Sequence, residues 1–221
     1  MRRILVMVVV LGVAVGAGAQ EKQVPRAVPL PMPVPSLHPQ REVPDPETPA
    51  ARRVTNTKDG IVFELPKAWN LNFKDGEVST YRLDARTAPR RAQLRTVASL
   101  AFNPYPLSTF AGAMFYVSVI PRSTAVECAA QTTTRPDKPL APATIANVTF
   151  KRGKDEHGQV CTEARDVAYT AMRGGSCLRF DLAVNTFCGG DVSGAEDITD
   201  AQLGAIFKRM EGILDTVKFA K

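Results

Sequence analysis

A pair of adjacent glycines, Gly174 and Gly175, constrains the fold more than any other feature of the sequence. Glycine adopts positive φ at no steric cost, so the pair suits a two-residue hairpin turn between Arg173 and Ser176. Facing residues in that hairpin have numbers that sum to 349, as 173 and 176 do. Apolar residues alternate after the turn, which predicts a strand over residues 178–184 with one strongly apolar face.

The other face of the predicted strand carries mainly polar residues. These are Cys177, Arg179, Asp181 and Asn185, which the register sets against Met172 and Thr170 of the preceding strand. Alternation of this kind is typical of a strand whose apolar face covers a core.

The hairpin register also predicts a disulfide. Cys161 and Cys188 face each other in it, and facing Cβ atoms lie close to disulfide range. Cys128 and Cys177 are then left as the second pair. Four cysteines allow three connectivities, and a bulge or an odd slip between residues 161 and 167 would break this register. The pairing Cys161–Cys188 with Cys128–Cys177 is favoured, while the other pairings and unpaired buried thiols stay open.

The N-terminus indicates a secretory signal peptide over residues 1–19. Arg2 and Arg3 precede an uncharged apolar run over residues 4–15, and residues 17–19 form a small-residue cleavage site. The run is shorter than the about 20 apolar residues of a transmembrane helix. A short membrane anchor is the alternative. The signal predicts an exported chain, periplasmic or extracellular, with no transmembrane span after cleavage and with disulfides that persist.

Residues 20–53 are interpreted as a proline-rich linker. Residues 23–50 contain nine prolines, and their apolar residues follow neither helical nor strand periodicity. Proline fixes φ and removes a backbone donor, which favours an extended polyproline II conformation. The segment would serve as a semi-rigid spacer from an envelope surface, and a passive disordered leader explains its composition equally well.

Residues 54–221 are predicted to form one α+β domain. Strands are predicted at residues 61–65, 78–83, 97–102, 114–120, 147–151 and 217–219. Two helices are predicted from capping boxes, a short one after Thr124 and a longer one after Thr199. The longer helix has one apolar stripe for the core, made of Leu203, Ile206, Phe207, Met210 and Leu214.

The domain lacks the motifs of common catalytic and metal sites. Its one histidine, His157, falls in a polar segment predicted to be an exposed loop. CxxC, HExxH, GxSxG and the phosphate-binding glycine motifs are absent from the sequence. Residues 189–197 are acidic but lack the ligand order of a calcium loop. We therefore assign no catalytic residue, no metal site and no cofactor, although scattered carboxylates leave a hydrolytic pair open.

The charge of the chain is mildly basic. Removing Arg2 and Arg3 from the formal net charge of +6 leaves +4. The densest basic stretch could bind anions, although a solvated loop explains it more simply, and it lacks the interleaved aromatic residues of single-strand nucleic-acid binders. We expect no nucleic-acid partner, and instead an envelope protein or a small ligand. The stretch consists of Arg82, Arg86, Arg90, Arg91 and Arg95.

Residues 60–69 resemble the opening G-x-x-F-x-x-P-x-x-W pattern of PsbP-like domains. Residues 176–182 of the hairpin and the closing residues 213–219 are also similar to that family, so the resemblance spans residues 58–220. The resemblance implies an antiparallel sheet with helices on both faces, an α/β/α sandwich. It also implies accessory or binding roles, mostly without catalysis, and carries over no site residue.

Together these features favour a non-enzymatic, exported accessory or binding module of the cell envelope. One alternative is an envelope hydrolase that uses carboxylates. The other is a structural or assembly protein that docks through its proline-rich linker.

Overall fold

The structure, a computed structural model, describes residues 43–44, 51–72, 92–132, 140–189 and 193–220. The chain divides into two units, Met1–His38 and Pro39–Lys221, and every described residue belongs to the second. The predicted signal peptide, most of the predicted linker and the predicted strand at residues 78–83 lie outside the described residues.

The described residues form ten strands and two helices. The helices are α1 (Ala125–Ala130) and α2 (Asp200–Leu214). The α+β class predicted from the sequence, with a mostly antiparallel sheet, is confirmed. In chain order the strands are β1 (Arg52–Asn56), β2 (Ile61–Leu65), β3 (Trp69–Asn72), β4 (Gln93–Leu100), β5 (Phe110–Pro121), β6 (Leu140–Ile145), β7 (Val148–Gln159), β8 (Thr162–Arg173), β9 (Ser176–Phe187) and β10 (Lys218–Phe219).

The strands form two sheets. The smaller has the order β1-β2-β10, and the larger has the order β3-β4-β5-β9-β8-β7-β6. Each strand pair is antiparallel. Strand β1 begins at Arg52, so two residues assigned to the linker belong to the smaller sheet.

The glycine turn sets the register at the centre of the larger sheet. Gly174 and Gly175 have φ values of 54° and 75°, which a hairpin turn of this length requires. From this turn β8 and β9 pair without a bulge to Thr162 opposite Phe187, so every facing pair sums to 349. The predicted strand over residues 178–184 is confirmed as part of the longer β9.

The main core lies between α2 and one face of the larger sheet. The apolar face of β9, from Leu178 to Val184, packs there with Phe115 and with Phe63 of the smaller sheet. Burial of each large apolar side chain contributes roughly 1.5–3 kcal/mol. The predicted stripe of α2 packs against this core, although its residue Phe207 is only half-buried. The buried residues of α2 are Leu203, Ile206, Met210, Ile213 and Leu214.

A disulfide attaches helix α1 to β9. Cys128 of α1 is bonded to Cys177, next to the core residue Leu178. Both helices begin with the predicted capping boxes. The Thr124 side chain accepts from Glu127 N while its backbone N–H donates to the Glu127 carboxylate, and Thr199 pairs with Gln202 in the same way.

The predicted loop around His157 is wrong, because this residue lies within β7 opposite Ala164 of β8. Several predicted strands are also longer in the structure. The strand predicted at residues 147–151 extends to Gln159, since its backbone continues to pair with β8 whatever the polarity of its side chains. Neither described helix is long and apolar enough to cross a membrane.

Candidate functional site

A cleft of about 430 Å³ opens at the end of the β8–β9 hairpin that lies away from the glycine turn. Four segments supply its lining: the two ends of the hairpin, the residue just before β5 and the residues just before α2. We call it the disulfide cleft. The lining residues are Thr109, Cys161, Thr162, Glu163, Arg165, Thr186, Phe187, Cys188, Gly189, Asp197 and Ile198.

A disulfide closes this end of the hairpin. Cys161 and Cys188 are bonded, with their Cα atoms 4.5 Å apart, immediately outside the last paired residues Thr162 and Phe187. Cys161 is exposed and has a positive φ of 66°. The bridge therefore holds together the two strand ends that form one wall of the cleft.

An arginine is fixed in the same wall. Arg165 Nη1 donates to Thr186 Oγ1 at 3.1 Å, across the β8–β9 pair. Its Nη2 donates to the carboxylate of Glu163, two residues earlier on the same face of β8. The Arg165 side chain is 26% exposed and that of Glu163 is 59% exposed, so both groups remain accessible to a ligand.

Thr109 joins the cleft's two halves. Its carbonyl accepts from Phe187 N at 2.9 Å, and its Oγ1 accepts from Ile198 N at 3.0 Å. Its own N–H donates to the Glu196 carbonyl at 2.8 Å. These bonds tie the end of β9 to the segment before α2, which gives the cleft a rigid base.

The Asp197 side chain lies directly against Gly189. A Cβ atom at position 189 would lie 1.8 Å from Asp197 Oδ1. Both residues belong to the acidic loop over 189–197, whose ends therefore meet at the cleft. Residues 190–192 of that loop lie outside the described residues.

The lining offers mixed chemistry. Glu163 and Asp197 provide carboxylates, Arg165 a guanidinium, and the threonines provide hydroxyl groups. Phe187 adds a ring that is 37% exposed, and Val160, next to Cys161, is 95% exposed. Polar groups that fix orientation beside apolar surface are typical of small-ligand sites.

The second disulfide lies away from this cleft. Cys128 and Cys177 are bonded, with Cα atoms 5.3 Å apart, and both are buried between α1 and β9. The two bridges are the pairs that the hairpin register favours. The structure brings only Cys161 and Cys188 to the cleft. Of the basic stretch, Arg95 is described, and it pairs with Asp59.

No group of three or more His, Cys, Asp or Glu side chains that could hold a metal ion occurs among residues 43–44, 51–72, 92–132, 140–189 and 193–220. In the cleft, Glu163 and Asp197 are the carboxylates and Arg165 is a cation beside one of them.

Sequence reasoning missed a cluster of buried charges beneath α1. Arg179 Nε donates to both carboxylate oxygens of Asp181 at 2.8 Å, and Asp166 Oδ2 lies 3.7 Å from Arg179 Nη2. All three side chains are at most 1% exposed. Opposite charges two residues apart on one strand face were the available signal. The alternation predicted only that this face is polar, not that the charges on it are buried.

The environment of Asp166 is unfavourable for a negative charge. Burial raises the pKa of its carboxyl well above the ordinary 3.8, and the charge of Asp181 raises this pKa further, while Arg179 opposes both effects. Asp166 Oδ1 and Thr170 Oγ1 are buried without a hydrogen-bond partner in the described part of the chain. All three members of the cluster are buried.

Comparisons with known proteins return structures but no family. No protein-family model matches the chain, and no curated protein matches it. A solution structure of cyanobacterial PsbP (CyanoP) from Synechocystis sp. PCC 6803 is similar, with 12% identity and a TM-score of 0.44 over 77% of this chain and 93% of that one.

Two crystal structures are also similar. One, from Bacteroides thetaiotaomicron VPI-5482, has 11% identity and a TM-score of 0.44 over 78% of this chain, which spans about half (49%) of that protein. The other is LpqN, involved in cell envelope biogenesis of Mycobacterium tuberculosis, with 7% identity and a TM-score of 0.36 over 77% of this chain and 91% of that one.

These similarities concern the fold. A PsbP protein is among the matched structures, in agreement with the resemblance to PsbP-like domains noted from the sequence. Identities of 7–12% and TM-scores below 0.5 transfer no ligand, partner or activity to this chain. The function of the domain is therefore inferred from the residues of the disulfide cleft.

Proposed function

We propose that the chain is an exported, non-enzymatic binding or accessory module of the cell envelope, and that its disulfide cleft holds the ligand or partner. In this proposal residues 1–19 are a cleaved signal peptide and residues 20–51 a linker, since β1 begins at Arg52. Residues 52–221 form the binding domain, an α/β/α sandwich in which α1 and α2 lie on opposite faces of the sheet.

The observation that carries the proposal is the position of the Cys161–Cys188 bridge. It joins two strand ends that line an open cleft, and Cys161 is exposed. An exposed disulfide persists only in an oxidising compartment, which agrees with export. The disulfide also holds the two strand ends in place before a ligand binds. Less conformational entropy is then lost on binding.

The polar groups of the cleft are already held in place. Arg165 is bonded to Thr186 and Glu163, and Thr109 is bonded to Phe187 and Ile198. Side chains fixed in this way lose little freedom when a ligand binds, so more of the interaction energy becomes affinity. This arrangement favours a ligand whose polar groups bind to these side chains and whose apolar part contacts the Phe187 ring.

The proposal is tested by amide NMR of the oxidised chain from residue 20 onward, titrated with fractionated envelope extract from the producing cell. Binding at the cleft predicts saturable shifts of Thr162, Glu163, Thr186 and Gly189. The variant Glu163→Gln should weaken these shifts. Saturable shifts confined to other parts of the domain, or none in any fraction, would contradict the proposal.

A matched variant controls for the loss of a surface charge. Glu211 of α2 also lies beside an arginine, 3.8 Å from Arg152, and it is similarly exposed. Glu211→Gln should leave the titration unchanged. An equal loss in both variants would indicate a general electrostatic effect.

A carboxylate hydrolase is the second candidate, because Glu163 and Asp197 line the same cleft. One of them would act as the acid and the other as the base or nucleophile. Hydrolysis of envelope glycans by the wild type, abolished by both Glu163→Gln and Asp197→Asn, would favour this candidate. Saturable binding without product would favour the binding module.

A further inference from the structure

A second cleft, of about 250 Å³, lies beside the glycine turn, at the other end of the β8–β9 hairpin. The turn between β1 and β2 forms one side and the glycine turn forms the other. We call it the turn cleft. The sides contain Lys58, Asp59, Arg173, Gly174 and Ser176, and the buried residues Ile61, Val119 and Leu178 form the base.

The one carboxylate of this cleft is already neutralised. Asp59 Oδ2 accepts a hydrogen bond from Arg95 Nε at 2.5 Å and another from Asn56 Nδ2 at 2.7 Å. Arg95 and Asp59 are each 16% exposed, so the pair is largely shielded from solvent. Their charges compensate each other, so the remaining charges among the described lining residues, Lys58 and Arg173, are positive.

Arg173 brings a fixed positive charge to the cleft. Its Nη1 donates to the Asp59 carbonyl and its Nη2 to the Ala220 carbonyl, both at 2.7 Å. Its guanidinium carbon lies 4.9 Å from the centre of the Phe219 ring. These partners orient the side chain but carry no negative charge, and a guanidinium has further N–H groups to donate.

Two more cations lie at the same end. Lys58 is exposed, and within the described ranges no carboxylate pairs with its ammonium group. Arg122 is exposed and follows Pro121, which faces Ser176 beside the glycine turn. Charges of one sign around a concave surface concentrate ions of the opposite sign.

We propose that the turn cleft binds a small oxyanion group, carboxylate or phosphate, either free or as the head of a larger molecule. Lys58 and Arg173 supply charge-assisted hydrogen bonds, which are the stronger kind. The Ser176 hydroxyl supplies a further donor at the opposite side. This site is separate from the disulfide cleft, and it does not depend on the function proposed for that cleft.

The test is a titration of the oxidised chain with sodium phosphate and with sodium acetate, followed by amide NMR at constant ionic strength. We expect saturable shifts at Asp59, Gly174 and Ser176 with at least one of the two anions. Lys58→Gln should weaken the affinity about tenfold. The control Lys67→Gln removes another exposed lysine, in the turn after β2, and should leave the affinity unchanged.

Sedimentation with vesicles distinguishes the two sources of the anion. Binding to phosphatidylglycerol vesicles but not to phosphatidylcholine vesicles, lost in Lys58→Gln, indicates a lipid headgroup. Saturable binding of phosphate or acetate without vesicle binding indicates a free anion. The proposal is overturned if neither anion gives saturable shifts, if chloride gives the same shifts, or if Lys58→Gln binds as the wild type does.

Discussion

Arg179 and Asp181 form an ion pair within β9 in which neither side chain is exposed to solvent, with Arg179 Nε 2.8 Å from both carboxylate oxygens. The two residues lie on the same face because they are two positions apart. Removing two charges from water is costly, and their attraction offsets that cost only while both partners are present. The pair therefore makes the fold sensitive to loss of either member.

Replacing Asp181 with alanine should lower the free energy of unfolding by about 3–5 kcal/mol, because Arg179 would remain buried without its main partner. Urea denaturation followed by circular dichroism measures this loss. The partly exposed pair of Arg152 and Glu211 provides the control, since Glu211→Ala should cost less than about 1 kcal/mol. Similar losses in both variants would show that burial of the Arg179–Asp181 pair does not increase the free energy lost when an ion pair is broken.

The pH dependence of stability should report on Asp166. Its pKa is raised in the folded chain, chiefly by burial and next by Asp181, so the folded state holds a proton that the unfolded state releases first. The contribution of Asp166 to stability therefore falls as pH rises from about 4 through the raised pKa.

The matched variant is Asp166→Asn, which keeps the shape and removes the titration. The unfolding free energy of the wild type minus that of the variant should decrease from pH 4 toward pH 8, as measured by urea denaturation at each pH. A difference that stays constant over this range, or that increases, would contradict the assignment.

The two disulfides should differ in reactivity. Cys161 is exposed, whereas Cys128 and Cys177 are buried, so a mild dithiol reductant should open the cleft bridge first. Alkylation and mass spectrometry of the native chain should find Cys161 and Cys188 labelled before the other two. Earlier labelling of Cys128 and Cys177 would contradict the burial that the structure assigns to them.

Each bridge should also stabilise the fold. The sequence separations are 27 for Cys161–Cys188 and 49 for Cys128–Cys177. Loop-closure entropy predicts about 3.6 and about 4.1 kcal/mol for loops of these lengths. Paired cysteine-to-serine variants, compared by urea denaturation, should show losses of this order, and a loss below about 1 kcal/mol for both would contradict the estimate.

The features predicted from the sequence are the local ones. The Gly174–Gly175 turn fixes its own geometry, so the register of β8 and β9 follows from numbering alone. Thr124 and Thr199 start their helices through side chains that lie only three residues apart from their partners. Such signals depend on a few neighbouring residues and need no tertiary information.

The buried charges and the clefts depend on distant contacts. Arg179 has the alternation of a solvent-facing residue, and its burial follows from structure that covers this face, including the backbone carbonyl of Gln131 after α1 at 3.4 Å. The disulfide cleft needs Thr109, Thr186 and Asp197, which are far apart in the sequence. The polar neighbours of His157 predict a loop, yet backbone pairing with β8 makes this residue part of a strand.

Two glycines should respond oppositely to alanine. A Cβ at Gly153 would lie 1.5 Å from the Thr132 carbonyl oxygen, so Gly153→Ala should displace the segment after α1 and destabilise the fold by more than about 1 kcal/mol. A Cβ at Gly212, in α2, meets open space, so Gly212→Ala should stabilise by about 0.5–1 kcal/mol. Thermal unfolding of both variants checks the contrast, and a loss of stability in Gly212→Ala would contradict it.

The most direct test of an exported, disulfide-clamped binding domain is non-reducing peptide mapping of the protein isolated from its producing cell, with its N-terminus determined in the same sample. We expect a chain that starts near Gln20 and contains the linked pairs Cys161–Cys188 and Cys128–Cys177. A chain that retains Met1 and carries four free thiols would contradict it.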